Sequence, residues 1–297
     1  AASDVYKRQV ATPVGTPPNV IFMGIYQQTT GIEYSFLEWM FIGVPIAVFF
    51  VPLAWLYLTR GIDNTPAAEI PELGPWRAPE RRVLIVFGIT AVAWVFRSAP
   101  GGGWSLLLGQ FAADPAAFAG GISDSTVALV AVVAMFLIPA GDGEPLLDWD
   151  TAASIPWGLL LLFGGGIAIA EGFSASGLSQ ALGRELSSVA SLPTIVTIGI
   201  ICITVTFLTE VTSNTATTNL LMPVLAAAAT AAALDPRTLM IPAALSASCA
   251  FMLPVATAPN AIMFGTRRVT TRTMATEGLW LNLIGAFIIT VLCSLLL

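Results

Sequence analysis

The stretch Thr206–Met222, TFLTEVTSNTATTNLLM, carries a dense group of polar residues between two apolar segments. The hydrocarbon core of a bilayer offers no water to such groups, so polar side chains at this depth usually face a cavity or a ligand. The polar residues are Thr209, Glu210, Thr212, Ser213, Asn214, Thr215, Thr217, Thr218 and Asn219. The stretch is therefore a candidate binding site.

The composition of the 297 residues is that of a membrane protein. Hydrophobic residues make up 56% of the chain and charged residues only 10%, and the mean hydropathy is +0.83. These values lie far from the averages of soluble globular domains. We therefore predict an all-α polytopic membrane protein. The net charge of −6 gives no indication of a nucleic-acid partner.

The residues that catalysis most often needs are missing or dispersed. The chain has no histidine, which removes a Ser-His-Asp triad and the commonest metal ligand. Cys202, Cys249 and Cys293 lie far apart in apolar runs without disulfide or metal spacing, so we expect buried free thiols. A membrane-embedded enzyme would need a nucleophile and a base, or a metal cluster, at one depth. We predict no catalytic residue and no enzyme.

Apolar runs of helical length predict the membrane spans. They are Leu37–Leu58, Val83–Phe96, Val127–Ala140, Ile155–Ala170 and Leu279–Leu297. Between them, Gly61–Glu80 is predicted to be an aqueous connector, because it is charged and rich in proline.

Three further stretches have a less regular pattern. Pro100–Ser123 is predicted to be interfacial or re-entrant, and Phe173–Val189 to be an amphipathic interfacial segment. Gly164, Gly165 and Gly166 indicate either close helix packing or a local unwinding.

The polar stretch has two apolar arms, Leu192–Leu208 and Leu220–Leu234. Each arm is near or below the roughly 20 residues needed to cross a bilayer, so we predict a re-entrant hairpin with a polar tip. Two alternatives remain open, one long helix through the stretch or two full spans joined by a polar loop.

Two stretches are predicted to be broken helices, PVGTPPNVIFMG from Pro13 and PVATAPNAIMFG from Pro254, where a helix over Leu239–Leu253 ends. The two stretches share six identical residues in an 11-residue window, which indicates an internal repeat. The pairs are Val14 with Val255, Thr16 with Thr257, Pro18 with Pro259, Asn19 with Asn260, Ile21 with Ile262 and Gly24 with Gly265.

The arginines predict the orientation, because short cytoplasmic loops are enriched in them. If the hairpin enters from outside, the C-terminus lies outside and the two broken helices run in opposite directions. Inverted repeats of this kind are the architecture of secondary transporters with a midplane site. On this trace Arg60, Arg77, Arg81, Arg82, Arg267, Arg268 and Arg272 lie inside, and Arg97, Arg184 and Arg237 lie outside.

These motifs together resemble the C-terminal part of the divalent anion:sodium symporter family. The resemblance rests on Ser213-Asn214-Thr215, on Thr16-Pro17-Pro18-Asn19 and Thr257-Ala258-Pro259-Asn260, and on the run FGGGIAIAEGFSASGL. It implies sodium-coupled uptake of a C4-dicarboxylate, citrate or sulfate by elevator-type alternating access, in a homodimer in the plasma (inner) membrane. Family members carry an earlier Ser-Asn-Thr hairpin that this sequence does not contain, so the chain is similar to a fragment that begins after it. Ala258, where the first copy has Pro17, is a departure that leaves the backbone shape there open.

The resemblance also implies residue roles. Substrate contacts fall on Ser213, Asn214, Thr215, Thr257, Pro259, Asn260, Thr16 and Pro18. One sodium ion is implied at Thr209, Ser213, Asn214 and Ala256, and another at Gly15 and Asn19.

The residues support these roles physically. A hairpin tip presents backbone N–H groups and the positive end of a helix dipole, which suit an anion, and unwound carbonyls suit sodium. Helix capping and back-bonding by Ser, Thr and Asn remain the structural alternative. For Glu210 both a proton or cation role and a capping or packing role stay open.

The predicted organisation follows from these elements. Residues 1–10 are non-native or disordered, 11–58 end the first repeat and 59–82 form a cytoplasmic linker. Residues 83–297 are the second repeat, with scaffold-type helices over 83–190 and the transport-type hairpin, broken helix and last span over 191–297. Rival functions are a sodium-independent dicarboxylate exchanger on the same scaffold and a non-transporting fragment.

Overall fold

The computed structural model describes residues 9–60, 74–99, 101–141, 143–155, 157–178, 181, 192–265 and 269–297. These residues are mainly helical and contain no strand, which confirms the all-α prediction. The described α-helices are α1 (Pro17–Thr30), α2 (Phe36–Thr59), α3 (Ala78–Val95), α4 (Gly103–Gly109), α5 (Pro115–Gly121), α6 (Asp124–Leu137), α7 (Trp149–Ala153), α8 (Trp157–Ala175), α9 (Thr194–Val211), α10 (Asn214–Ala231), α11 (Arg237–Ala247), α12 (Ala258–Gly265) and α13 (Thr271–Leu296).

Three of the described helices are long and apolar enough to cross a membrane, namely α2, α9 and α13. Helix α6 and the part of α8 from Leu160 to Phe173 are shorter apolar helices. The hydropathic prediction of a polytopic membrane protein is therefore confirmed. Helix α2 runs unbroken through Pro45 and Pro52.

The chain divides into two compact units. The first takes the described residues within 1–34, 38–62 and 158–297, and α11 is its centre, packed against α1, α9, α10 and α13. Every residue from Thr238 to Phe251 is buried. A helix that is apolar all round is typical of such a central position.

The second unit takes the described residues within 35–37 and 63–157. Helices α3 and α6 pack against each other, and α4 packs against α5. Asp124, at the start of α6, accepts a hydrogen bond from Arg97 Nε at 2.7 Å and from the backbone N–H of Phe36 at 3.1 Å. Trp94 Nε1 also donates to the Asp124 carbonyl, so Asp124 anchors the end of α3.

Several predicted boundaries were wrong. The helix predicted over Leu239–Leu253 ends at Ala247, because the amides of residues 251–253 bond to a side chain instead of continuing the helix. Helix α3 begins at Ala78, inside the predicted connector, where Glu80 accepts from the backbone N–H of Arg77 at 2.9 Å. The last span begins at Thr271, capped by Thr270, rather than at Leu279.

Other predicted stretches are described in part. Pro100–Ser123 contains the two short helices α4 and α5. Most of Phe173–Val189 and residues 1–8 lie outside the described residues, so the predictions for them stay predictions. The three cysteines are free and buried, as expected.

The glycine run of α8 is helical throughout, so it marks close packing and not unwinding. A Cβ at Gly166 would collide with the side chain of Asn219, which also donates to the Leu162 carbonyl at 3.3 Å. Gly164 and Gly165 have no such neighbour within 4 Å. One glycine of the three therefore lets α10 approach α8.

Candidate functional site

The first unit contains a cavity of about 650 Å³ that three separate segments line. These are the end of α9 with the start of α10, the irregular segment before α12, and the start of α1. The lining residues are Thr16, Pro17, Pro18, Glu210, Val211, Thr212, Ser213, Asn214, Thr215, Leu253, Val255, Ala256 and Thr257. The centre of the polar stretch Thr206–Met222 thus faces a cavity.

The tip between α9 and α10 consists of Thr212 and Ser213, both with extended backbone. This break rules out the alternative of one long helix. The Ser213 hydroxyl accepts from the backbone N–H of Ala216 at 3.5 Å and caps α10. The Thr212 hydroxyl lies 2.6 Å from that of Thr217 and donates to the Leu208 carbonyl at 2.7 Å. Local capping, the structural alternative, is therefore present at the tip.

The first helix break lies at Thr16, whose extended backbone separates a 3-10 turn (Pro13–Gly15) from α1. The Thr12 carbonyl accepts from the backbone N–H of Gly15 at 3.1 Å and from Asn19 Nδ2 at 2.9 Å. A broken helix was predicted at this position; the described residues before Thr16 form 3-10 turns, so the helix on that side stays a prediction.

The second break covers residues 248–257 and repeats the same turn. The Leu253 carbonyl accepts from the backbone N–H of Ala256 at 3.2 Å and from Asn260 Nδ2 at 2.9 Å. Leu253, Ala256 and Asn260 each stand 241 positions after Thr12, Gly15 and Asn19, so the hydrogen bonds follow the register of the six sequence identities. The two breaks also meet, since the hydroxyls of Thr16 and Ser248 lie 3.4 Å apart.

The backbone just before each turn packs closely against a glycine of the next long helix. A Cβ at Gly43 of α2 would come inside 3.0 Å of the carbonyl oxygens of Val10 and Ala11. A Cβ at Gly278 of α13 would collide with the backbone of Phe251 and Met252. Val10 and Phe251 again stand 241 positions apart. The repeat therefore includes tertiary packing as well as sequence.

Glu210 holds the second break to the end of α9. Its Oε1 accepts from the backbone N–H groups of Phe251 at 2.7 Å and Met252 at 2.8 Å, and its Oε2 accepts from that of Leu253 at 3.0 Å. Asn282 Nδ2 of α13 donates to Oε1 at 2.7 Å. Of the roles left open by the sequence, this arrangement is closest to capping, with N–H groups as the partners.

A group of oxygens lies behind the tip. The Thr209 hydroxyl is 2.5 Å from Asn214 Oδ1 and 3.1 Å from the Ala247 carbonyl. One hydroxyl proton can serve only one of these two acceptors. The two contacts are hydrogen-bond distances, and they bring three oxygen atoms together behind the tip.

The predicted site residues divide into two groups. The cavity brings together Thr16, Pro18, Ser213, Asn214, Thr215, Ala256 and Thr257. Thr209, Asn19 and Asn260 are buried, and they do not line the cavity, nor do Gly15 and Pro259. Asn260 instead bonds the carbonyls of Ala250 and Leu253, and so shapes the wall.

The cavity has an unusual charge balance. None of its lining residues is basic, and Glu210 is the acidic one among them. Thr16, Ser213 and Thr257, the residues that immediately precede α1, α10 and α12, all line it. The first turns of three helices, with their partial positive charge, therefore border the cavity.

The fold and the cavity define a polytopic α-helical membrane protein with a polar cavity at two helix breaks and a helix-joining tip. A family model described as "Sodium:sulfate symporter transmembrane region" matches residues 6–296. The chain therefore belongs to this family, which is one of transporters and not of enzymes, and the family resemblance is confirmed.

Two relatives illustrate the match. The chain is 39% identical to the "Sodium-dependent dicarboxylate transporter SdcS" of Staphylococcus saprophyticus in an alignment of 294 positions, which covers 94% of this chain and 54% of the relative. It is 37% identical to the protein of the same name from Staphylococcus aureus, with the same coverage. The chain thus spans about half the length of these relatives.

Sequence reasoning missed several contributors to the site. Val211 and Leu253 line the cavity without a motif that singles them out, and Pro17 and Val255 belong to quoted motifs but were given no role in the site. Gly43 and Gly278 do not share the register of the repeat, because the connections that precede them differ in length. The signal for Glu210 was available, since a carboxylate in an apolar helix must have partners, but its partners are distant in sequence.

Proposed function

We propose that this chain carries the binding site of a secondary active transporter that couples sodium to the uptake of a divalent anion. The observation that supports it best is the shared cavity of the tip, the second break and the start of α1. The substrate class, a C4-dicarboxylate, citrate or sulfate, is suggested by the family description and by the names of the relatives.

The charge balance supports sodium coupling. Helix N-termini and hydroxyls stabilise an anion, yet a dianion in a cavity lined by no basic residue is under-compensated. A cation bound to neighbouring oxygens supplies the missing charge, and its effect is large where water is excluded. Sodium is therefore proposed as co-substrate, held beside the anion.

The residue roles are proposed accordingly. Ser213, Asn214, Thr215 and Thr257, with Thr16 and Pro18 across the cavity, contact the anion. Thr209, Ser213, Asn214 and Ala256 hold one sodium ion, a role supported by the contacts of the Thr209 hydroxyl with Asn214 Oδ1 and with the Ala247 carbonyl, which gather oxygen atoms at this point. Gly15 and Asn19 contribute to a second ion. Pro259 and Asn260 shape the wall.

The transport cycle is proposed to be elevator-type alternating access in a homodimer, with inverted repeats and the C-terminus on the outer side of the plasma (inner) membrane. The equal hydrogen bonds of the two breaks support a repeat. The excess of arginines on the predicted inner side supports the orientation.

The decisive experiment measures coupling. Sodium should raise the affinity for the dianion, and by linkage the dianion should raise the affinity for sodium by the same factor. Succinate binding to the purified protein that carries this chain is measured by calorimetry in sodium buffer and in choline buffer. We expect at least about tenfold tighter binding in sodium, which corresponds to about 1.4 kcal/mol.

Uptake into proteoliposomes completes the test. An inward sodium gradient should drive accumulation of labelled succinate, and its removal should abolish the accumulation. Equal affinities in the two buffers, together with sodium-independent exchange of internal for external succinate, would contradict the proposal and favour the exchanger.

A further inference from the structure

Glu210 has an environment that the binding roles above do not use. The side chain is 5% exposed and its carboxylate receives four N–H groups from two other segments. Three of them are the consecutive backbone amides of residues 251–253, at the start of the turn in the second break. Its two carboxyl oxygens accept all four bonds, three at Oε1 and one at Oε2.

The carboxylate also fixes the cavity wall through a short series of bonds. Leu253 donates to Glu210 through its N–H and accepts from Ala256 and Asn260 through its carbonyl. The Thr257 hydroxyl in turn accepts from the Asn260 N–H at 3.4 Å. Two residues that line the cavity, Ala256 and Thr257, are therefore only a few hydrogen bonds away from Glu210.

Asn282 makes the arrangement a three-way junction. Its Nδ2 donates to Glu210 Oε1 and its Oδ1 accepts from the Phe251 N–H at 3.3 Å. The side chain is fully buried, one turn after Gly278, which receives the same backbone. The end of α9, the second break and α13 are thus joined at one point beside the cavity.

We infer that Glu210 is a positioning residue: its side chain holds residues 251–253 in place, so that Ala256 and Thr257 line the cavity together with Asn214. This inference rests on the proposed function for its transport consequences. The junction itself is a property of the fold and can be tested without transport.

The physical reason is that the unwound segment has no helix to satisfy its amides. A buried N–H group without a partner is costly, and the Glu210 side chain supplies acceptors for three of them. Without the carboxylate, the backbone N–H groups of residues 251–253 would need other acceptors, and the segment up to residue 257 would change its conformation. The wall would then lose the geometry that both ligands need.

The first test compares Glu210→Gln with Glu210→Leu. Glutamine retains an oxygen for the three donors at Oε1 but places an NH2 group against the Leu253 N–H. Leucine retains the size and removes every acceptor. The control is Glu171→Gln, an exposed glutamate of the first unit that accepts a bond from Gln28 at 3.2 Å.

Hydrogen exchange followed by mass spectrometry is read on the peptide that contains residues 251–253. We expect about a tenfold or greater loss of protection for those amides in Glu210→Leu, a smaller loss in Glu210→Gln, and none in Glu171→Gln, since about 1.4 kcal/mol is a factor of ten. Unchanged protection in Glu210→Leu would overturn the inference. This readout does not depend on whether the protein uses sodium.

The second readout separates positioning from general stability. In proteoliposomes, Glu210→Gln should raise the half-saturating concentrations of both sodium and succinate by about three- to tenfold, with the maximal rate per folded protein within about twofold, as expected for a weakened bond. A reduced maximal rate with unchanged half-saturation would overturn the inference. If the wild-type protein shows no sodium dependence, the proposed function fails. The hydrogen-exchange measurement still shows whether Glu210 holds residues 251–253.

Discussion

The two helix breaks have the same turn and different supports. In each, a carbonyl accepts from the amide three residues later and from an asparagine seven residues later, and a glycine of the next long helix receives the backbone at the start. The first break follows a 3-10 turn with Pro13, and Trp39 Nε1 donates to the Val10 carbonyl at 2.9 Å. The second follows the buried helix α11 and depends on Glu210.

This difference shows what a repeated motif encodes. The shared Thr, Pro and Asn residues specify the turn itself, because proline restricts the backbone and asparagine satisfies the carbonyl behind it. The supports come from helices outside the motif, where the two copies are free to differ. The second break lines the same cavity as the tip and bonds to the carboxylate of Glu210 at the end of α9, so we expect this break to be more sensitive to substitution.

The largest effect is expected where the second break meets the tip. Asn214→Ala removes an oxygen beside Thr209 and the amide donors at the cavity, so both proposed ligands lose a partner. Two lost bonds to charged groups of about 1.5–3 kcal/mol each predict a fall in sodium-driven uptake of about 100-fold or more. Uptake is measured in proteoliposomes at equal protein amounts.

Asn219→Ala serves as the control, because Asn219 lies on the same helix and bonds the Leu162 carbonyl of α8 away from the cavity. It should leave the half-saturating sodium concentration unchanged. Wild-type uptake with unchanged sodium dependence in Asn214→Ala would count against the assignment.

A smaller effect is expected from the two glycines that receive the breaks. Gly278→Ala and Gly43→Ala would each press a methyl group against backbone atoms that cannot rotate away, at a cost of about 1–3 kcal/mol. The thermal midpoint in detergent should fall in both variants. The comparison predicts similar losses, since both contacts involve the equivalent backbone.

The matched controls are Gly24→Ala and Gly265→Ala. These glycines are identical residues of the repeat, yet neither has a neighbouring atom within 4 Å of the point where an alanine methyl group would lie. Their midpoints should stay the same or rise, because alanine favours helix by up to about 1 kcal/mol. Equal midpoints in all four variants would show that the breaks are not held against α2 and α13.

Much of this arrangement could be predicted from the sequence. The apolar runs indicated the long helices, and proline placed the first break at Thr16 because its ring removes a donor. The end of α11 at Ala247 could not be predicted, since local sequence favours helix through Leu253 and the competing acceptor, Glu210, lies in a different helix, α9. The cavity was expected from the polar tip, and the family resemblance implied its third wall at Thr16 and Pro18, but the residues alone gave no reason for the start of α1 to lie beside the tip.

The smallest effect on stability is expected in the loop that leads into α11. This loop is held by an exposed ion pair, whereas the breaks are held by buried hydrogen bonds. Asp235 accepts from the Arg237 backbone N–H and Nε, each at 2.9 Å. The hydrogen bond from the Arg237 side chain holds the pKa of Asp235 below its usual value. The contribution to stability is therefore present above the unfolded pKa of about 3.9 and is lost as the pH falls through the lower folded value.

Both side chains of this pair are about 40% exposed, so solvent screening limits the contribution to about 0.5 kcal/mol. Asp235→Asn should lower the thermal midpoint slightly at pH 7, and the gap to the wild type should shrink in scans from about pH 5 to about pH 3. The direction follows from the sign of the shift, because a depressed carboxyl pKa stabilises only while the group is ionised. A difference in thermal midpoint that widens as the pH falls would mean that Asp235 is stabilised in its protonated form. The ion pair with Arg237 would then not be what stabilises this loop.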